Sequence, residues 1–162
     1  MIQSTIDRVP GMNYMRIPPP LLAASIALAT FASCEFLGPL WISNTYISSV
    51  ALVVALLGTF MDVSAKRLFV RQGTTVNSMT LNATAIVISS GAYRWSRNPM
   101  YLGRIMQLFA LSLYLASSIG FLSVLLFAIY LDRVQIRAEE QALTQRFPLE
   151  YSTCRSKVRR WL

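Results

Sequence analysis

Long apolar runs alternate with short polar stations along this chain. The runs are Leu21 to Trp41, Tyr46 to Met61, Ile105 to Ser117 and Ile119 to Leu131. The first opens behind Pro18-Pro19-Pro20, and the last two are joined only by the small turn Ser117-Ser118-Ile119-Gly120. Each of the last two is short against the roughly 20 residues of a full bilayer crossing. They reach that length by taking in Met100 to Arg104 and Asp132 to Val134, with the arginines snorkelling to the interface. The pattern predicts an all-α integral membrane protein with four transmembrane helices and a carboxy-terminal amphipathic helix, which is a fifth segment if it lies along the interface. Ala51, Ala55 and Gly58 recur at helical spacing, a pattern that lets a second helix approach closely.

The cations sharpen the topology. Arg8 and Arg16 precede the first run; Lys66, Arg67, Arg71, Arg94, Arg97 and Arg104 lie between the second and third; Arg133, Arg137, Arg146, Arg155, Lys157, Arg159 and Arg160 follow the fourth. The two remaining connections carry none, so a four-helix threading puts all 15 cations on one side. The positive-inside rule then puts both termini at the cytoplasmic face, in a bacterial inner membrane.

Composition agrees. Of 162 residues, 54% are hydrophobic and 14% charged, against about 25% charged in a soluble domain; this argues against a soluble helical hairpin. The net charge of +8 records topology here and implies no nucleic-acid partner. One domain is expected over 1–162, with an N-terminal helical hairpin over 1–62 and the functional half over 63–162. Histidine is absent, and Cys34 and Cys154 fit no metal or disulfide spacing, so no metal site is expected and both thiols read as inert. Phe31-Ala-Ser-Cys34 is only faintly like a lipoprotein cleavage site, because phenylalanine stands three before the cysteine.

Chemistry is expected at two polar stations. The first, Ser89 to Arg104, contains GAYRWSRNPMYLG; the second, Asp132 to Glu140, reads DRVQIRAEE. The turn at Ser117-Ser118 lies midway between them, so an antiparallel hairpin returns Glu139 and Glu140 to the height of Arg97. On a 3.6-residue period Ile136, Glu140, Leu143 and Phe147 share one face, with Glu139 on its flank. A carboxylate among apolar neighbours needs a partner. Two partners stay open: an ion pair to Arg97 or Arg94, and a polar or cationic ligand.

GAYRWSRNPMYLG, followed by RAEEQAL and RFPLEYSTCRSKVRRWL, resembles the carboxy-terminal half of the isoprenylcysteine carboxyl methyltransferases and their bacterial relatives, a superfamily that includes phospholipid N-methyltransferases. The matching pattern is G-x-Y-x-x-x-R-[HN]-P-x-Y-x-G, a hairpin, E-E-x-x-L, then F-[GP]-x-x-Y and a basic end; GTTV near Gly73 also fits. The resemblance covers about residues 50–162 and implies a membrane enzyme that uses S-adenosylmethionine at the cytosolic face without a Rossmann fold. It implies cofactor contacts at Ala85, Ile86, Val87, Ile88, Tyr93, Asn98, Pro99, Met100 and Tyr101 and at the carboxylates of Glu139 and Glu140. Many relatives carry histidine at the position of Asn98. Asparagine keeps a hydrogen-bond donor there but cannot titrate.

The residue types suit that chemistry. Carboxylates match the ribose diol or ammonium of the cofactor, and an arginine or main-chain N–H matches its carboxylate. Tyr93, Trp95 and Tyr101 can bracket the adenine or face the sulfonium. A carboxylate or thiolate acceptor needs no base, whereas an amine acceptor would require Glu140 or Asp132. The acceptor implied is lipophilic and enters from the bilayer: an isoprenylcysteine-type carboxylate, a phospholipid amine, or a small thiol or phenol. Arg133 and Arg137 are candidate anchors for its anionic group. Two rival functions are an NADPH-dependent enzyme like the sterol reductases, whose carboxy-terminal half is similar, and a non-enzymatic membrane adaptor. Glu35 and Asp62 are expected at the interfaces, and Arg159, Arg160 and Trp161 as an interfacial anchor near anionic lipid.

Overall fold

The computed structural model describes residues 17–40, 44–71 and 90–162. Among them every regular element is helical: α1 (Pro19–Leu37), α2 (Thr45–Arg71), a 3-10 turn (Gly91–Arg94), α3 (Pro99–Tyr114), α4 (Ser118–Tyr130), a π-helical turn (Leu131–Ile136), α5 (Arg137–Arg146) and α6 (Pro148–Lys157). Among the described residues three helices are long and apolar enough to cross a bilayer: Pro19–Leu37, Thr45–Leu68 and the continuous rod Ser118–Gln145. The third apolar run forms α3, whose 16 residues give about 24 Å of helix.

Local chemistry sets the helix ends. Pro19 and Pro99 lie in the first turns of α1 and α3, where a missing N–H costs nothing. Gly38 ends α1 with φ of 71°. The α3–α4 turn uses Ala116 at φ 51°, and the Ser117 hydroxyl caps α4 by accepting from the Gly120 N–H at 3.1 Å. α2 runs ten residues past Met61, the end of its apolar run. Nothing there breaks a helix, and Lys66 pairs with Asp62 one turn back at 2.5 Å.

The bundle is apolar outside and partly polar inside, as lipid solvation demands. Leu28, Phe36 and Phe60 are more than two-thirds exposed, while Thr30, Asp62, Ser112 and Gln135 are buried. α2 packs most extensively on α3, and their axes meet at two glycines. A β-carbon on Gly103 would lie 2.5 Å from the Gly58 carbonyl oxygen, and one on Gly58 would lie 2.7 Å from that of Gly103. The small-residue face expected on α2 is thus the seam with α3. α1 leans on α3 and α4, fastened at its far end by Ser33 Oγ to Ser117 Oγ (3.0 Å) and by the Leu40 N–H donating to the Ala116 carbonyl (2.7 Å). Leu108, Val124, Phe127, Leu131 and Ile136 form the core, with Tyr101 at its polar end and Trp161 packed against it.

Candidate functional site

The α3–α4 hairpin brings the two polar stations together at one end of the bundle. Tyr101, one turn into α3, donates its hydroxyl to Glu139 Oε1 at 2.5 Å. Gln135 Nε2 donates to the same oxygen at 2.7 Å. Arg97 Nη2 pairs with Glu140 Oε1 at 3.2 Å. Of the two arginines considered as partners for Glu140, Arg97 meets it, and Arg94 stays exposed on the 3-10 turn. Both carboxylates of the EE pair therefore face residues of the RNPMY segment.

The second station does not end the helix. α4 passes through the π turn into α5 without interruption. In an unbroken α-helix, residues eight apart lie about 12 Å apart along the axis and about 80° apart around it. The wider turn, with its i→i+5 spacing, runs from Leu131 through Asp132 to Ile136 and draws Asp132 and Glu140 toward one guanidinium. Arg160 Nη2 reaches Glu140 Oε2 at 2.6 Å and its Nη1 reaches Asp132 Oδ1 at 3.0 Å. Trp161 Nε1 donates to that same Asp132 oxygen at 3.2 Å.

The carboxy terminus is thus a strap across the site, which differs from the interfacial anchor expected for it. Its carbonyls hold the RNP turn: Arg97 N–H donates to the Arg159 carbonyl (3.0 Å), and Asn98 Nδ2 and Ser96 Oγ donate to the Arg160 carbonyl (3.1 and 3.2 Å). Two charge-assisted hydrogen bonds to half-buried carboxylates hold the charged tail here. Arg160, Gln135 and Tyr151 had no role in the sequence-based site. Arg160 sits in a run of cations that reads as topology, and only the return of the chain singles it out.

Tyr151, at the inner face of α6, accepts from Arg97 Nη1 at 3.1 Å. Burial and the neighbouring Glu140 carboxylate push its phenol up to about 12, against the opposing pull of Arg97. Burial likewise drives the Tyr93 phenol well above the ordinary tyrosine range, reinforced by the Glu139 carboxylate and then by Asp62. Hydrogen bonding to Glu140 raises the Arg160 guanidinium. Pro99 is buried, and Met100 and Asn98 are half-buried on the same turn. Arg133 and Arg137 are exposed; Arg133 reaches the cluster only through Asp132, 3.8 Å away. Ala85, Ile86, Val87 and Ile88, and the GTTV stretch, lie outside the described residues.

Asp62, expected at the interface, is buried instead. The α2–α3 seam sets it beside Arg104 Nε at 3.9 Å, while its other oxygen holds Lys66.

With this geometry in view, the comparisons with known proteins are decisive. The model of the phospholipid methyltransferase family matches residues 45–150. The chain belongs to the phospholipid methyltransferase family. That match runs from the start of α2 through the hairpin and into α6, so it takes in the RNPMY turn, both glutamates and the π turn, and it assigns the chain a membrane methyltransferase role. An uncharacterized protein of Haemophilus influenzae is 40% identical over 63 residues, covering 39% of this chain and all of that protein. No solved structure matches the chain significantly.

Proposed function

We propose that this member of the family transfers a methyl group from S-adenosylmethionine to a lipophilic acceptor reached from the bilayer, with an isoprenylcysteine-type carboxylate as the acceptor closest to the sequence resemblance and a phospholipid amine beside it. The observation that carries the reading is a pair of open polar atoms. Arg97 Nε and Gln135 Oε1 are buried and have no hydrogen-bond partner among the described residues, although both side chains anchor the glutamate pair. Leaving a buried donor and a buried acceptor unmatched costs about 1–3 kcal/mol each. One ligand that presents a carboxylate to Arg97 and an ammonium or hydroxyl to Gln135 satisfies both. The amino-acid end of S-adenosylmethionine has that donor and acceptor set.

When bound, the cofactor supplies a methyl group already activated for in-line displacement. The chain's own work is then alignment and exclusion of water. Tyr101 and Gln135 orient Glu139, and Arg97 and Arg160 orient Glu140. Tyr93, held neutral, offers a polar aromatic edge without adding charge. Asn98 fixes the turn through the strap carbonyl and moves no proton. Glu139 and Glu140 suit the cofactor's diol or ammonium, and the backbone of Ala85 to Ile88 completes its contacts in this reading.

The same reading makes α3 the fourth crossing. It packs against α2 and α4, and Arg104 near its start extends it toward the interface. An even number of crossings keeps every cation at the site's end, which is then the cytoplasmic face of a bacterial inner membrane. Titration calorimetry of S-adenosylmethionine and S-adenosylhomocysteine into detergent-purified protein tests the proposal. Saturable binding that Glu140→Gln weakens more than it lowers the melting temperature supports it. Folded protein that binds neither compound removes it and leaves the glutamate–arginine cluster as a structural clamp.

A further inference from the structure

A second polar constellation lies between α1 and α2. α1 and α2 scarcely touch each other, because both rest on α3. The gap between them holds a cavity of 390 Å³ whose α1 wall is only Pro20, Ala23, Ala24 and Ala27, and whose opposite wall carries Asp62, Lys66 and Arg104. Small residues on one side leave space, and the other side fills it with charge.

That charge is incompletely matched. Asp62 Oδ1 and Arg104 Nε are buried and neither has a hydrogen-bond partner among the described residues. They sit 3.9 Å apart, beyond hydrogen-bonding range, with the Arg104 and Asp62 side chains 12% and 10% exposed. A charge pair this deep usually closes, since each member left open keeps its desolvation cost. Lys66 occupies the other Asp62 oxygen and its side chain is 37% exposed. Two cations against one carboxylate leave a net charge of +1 in a cleft walled by lipid-facing helices. The excess positive charge favours an anionic head over an ammonium, and a wholly apolar head leaves both Arg104 Nε and Asp62 Oδ1 unpaired. A phosphate or carboxylate head accepts from Arg104 Nε and Lys66 together, and the flanking faces of α1 and α2, with Leu28 and Leu52 exposed, suit its hydrocarbon tail.

We infer that the α1–α2 gap is a lateral binding site for the anionic head, phosphate or carboxylate, of a bilayer amphiphile, held by Lys66 and Arg104. Asp62 holds Lys66 through its other oxygen, a bond the amide oxygen of asparagine can still accept. The Glu139 and Asp62 carboxylates both act on the Tyr93 phenol. That the occupant is the methyl acceptor rests on the methyl-transfer reading; the anion site itself does not.

The test is equilibrium binding to the full chain in an uncharged maltoside detergent, with dodecyl phosphate, laurate, dodecyltrimethylammonium and inorganic phosphate as probes and S-adenosylhomocysteine alongside. Dodecyl phosphate or laurate should saturate one site, and Lys66→Gln and Arg104→Gln should each weaken it about tenfold, the loss of one charge-assisted hydrogen bond. Asp62→Asn, which removes the competing anion, should leave that binding unchanged or tighter, whereas a site for cations would lose it. If Arg104→Gln does not fold, Lys66→Gln and the gap-filling Ala24→Phe carry the test. Equal binding by wild type and Lys66→Gln, or preferential binding of dodecyltrimethylammonium, overturns the inference. Inorganic phosphate binding as tightly as dodecyl phosphate overturns the lipid assignment in favour of a free-anion site. Failure of both anionic amphiphiles while S-adenosylhomocysteine binds overturns this inference alone; the reverse outcome sinks the methyl-transfer reading and keeps the site.

Discussion

Arg160 closes a two-point ion pair on Glu140, with Nη2 to Oε2 at 2.6 Å and Nε to Oε1 at 3.3 Å. The same guanidinium holds Asp132, within the π turn. Glu140 and Asp132 are therefore oriented by Arg160, whereas Glu139 is held by Tyr101 and Gln135.

Arg160→Ala should release the strap and leave Glu140 with Arg97 alone. Both partners are partly exposed, so the cost is set below that of a fully buried pair, at about 1–3 kcal/mol. Thermal unfolding in detergent reads the stability. S-adenosylhomocysteine binding, measured on the same preparation, should fall more than the melting temperature implies. Arg160→Lys should recover part of the stability but little of the binding, because an ammonium cannot bridge two carboxylates with fork geometry.

Tyr101→Phe removes one hydroxyl and leaves the aromatic packing intact. Loss of a hydrogen bond to a carboxylate costs about 1.5–3 kcal/mol where the acceptor stays buried, and Gln135 still serves Glu139 here, so the lower end is expected. Cofactor affinity should drop about tenfold if Glu139 contacts the ligand. Unchanged affinity would show that Glu139 supports the fold and does not touch the cofactor.

Gly103→Ala tests the α2–α3 seam. A methyl group has no room against the Gly58 carbonyl and the Asp62 N–H, 2.5 and 2.9 Å away. Overpacking of this kind costs about 1–3 kcal/mol. It should also shift Asp62 relative to Arg104, which the melting temperature and the anionic-amphiphile binding isotherm report together. Gly38→Ala makes a control of different origin, since open space surrounds that position and only its positive φ is strained.

Alkaline pH should loosen the strap. The Tyr151 phenol is raised from its ordinary 10.0 to about 12, so the folded state holds the proton more tightly than the unfolded state does. Its stabilising contribution is complete below pH 10 and is lost as pH climbs through about 12. Phenolate absorbance against pH should show a late-titrating tyrosine that disappears in Tyr151→Phe. The half-buried Tyr93 should titrate later still, or only on unfolding.

The hydrophobic periodicity determined most of the helix inventory before any contact was known. The runs, the Pro-rich starts, the hairpin turn at Ser117 and the small-residue face of α2 are all local or nearest-neighbour features, and local features are written in spacing. The spacing of GAYRWSRNPMYLG from the EE pair also told which stations would meet, because a hairpin with its turn midway has little freedom of register. Three things lay beyond that reading. The π turn leaves no mark in DRVQIRAEE, since one widened turn changes no hydrophobic repeat. The role of Arg160 depended on the chain doubling back, which no period encodes. Asp62 looked like an end-of-helix charge until α3 covered it at the Gly58–Gly103 crossing. Side-chain chemistry was therefore legible wherever the helices alone place it; where two distant segments compete for one carboxylate, only the packing of the whole bundle decides the partner.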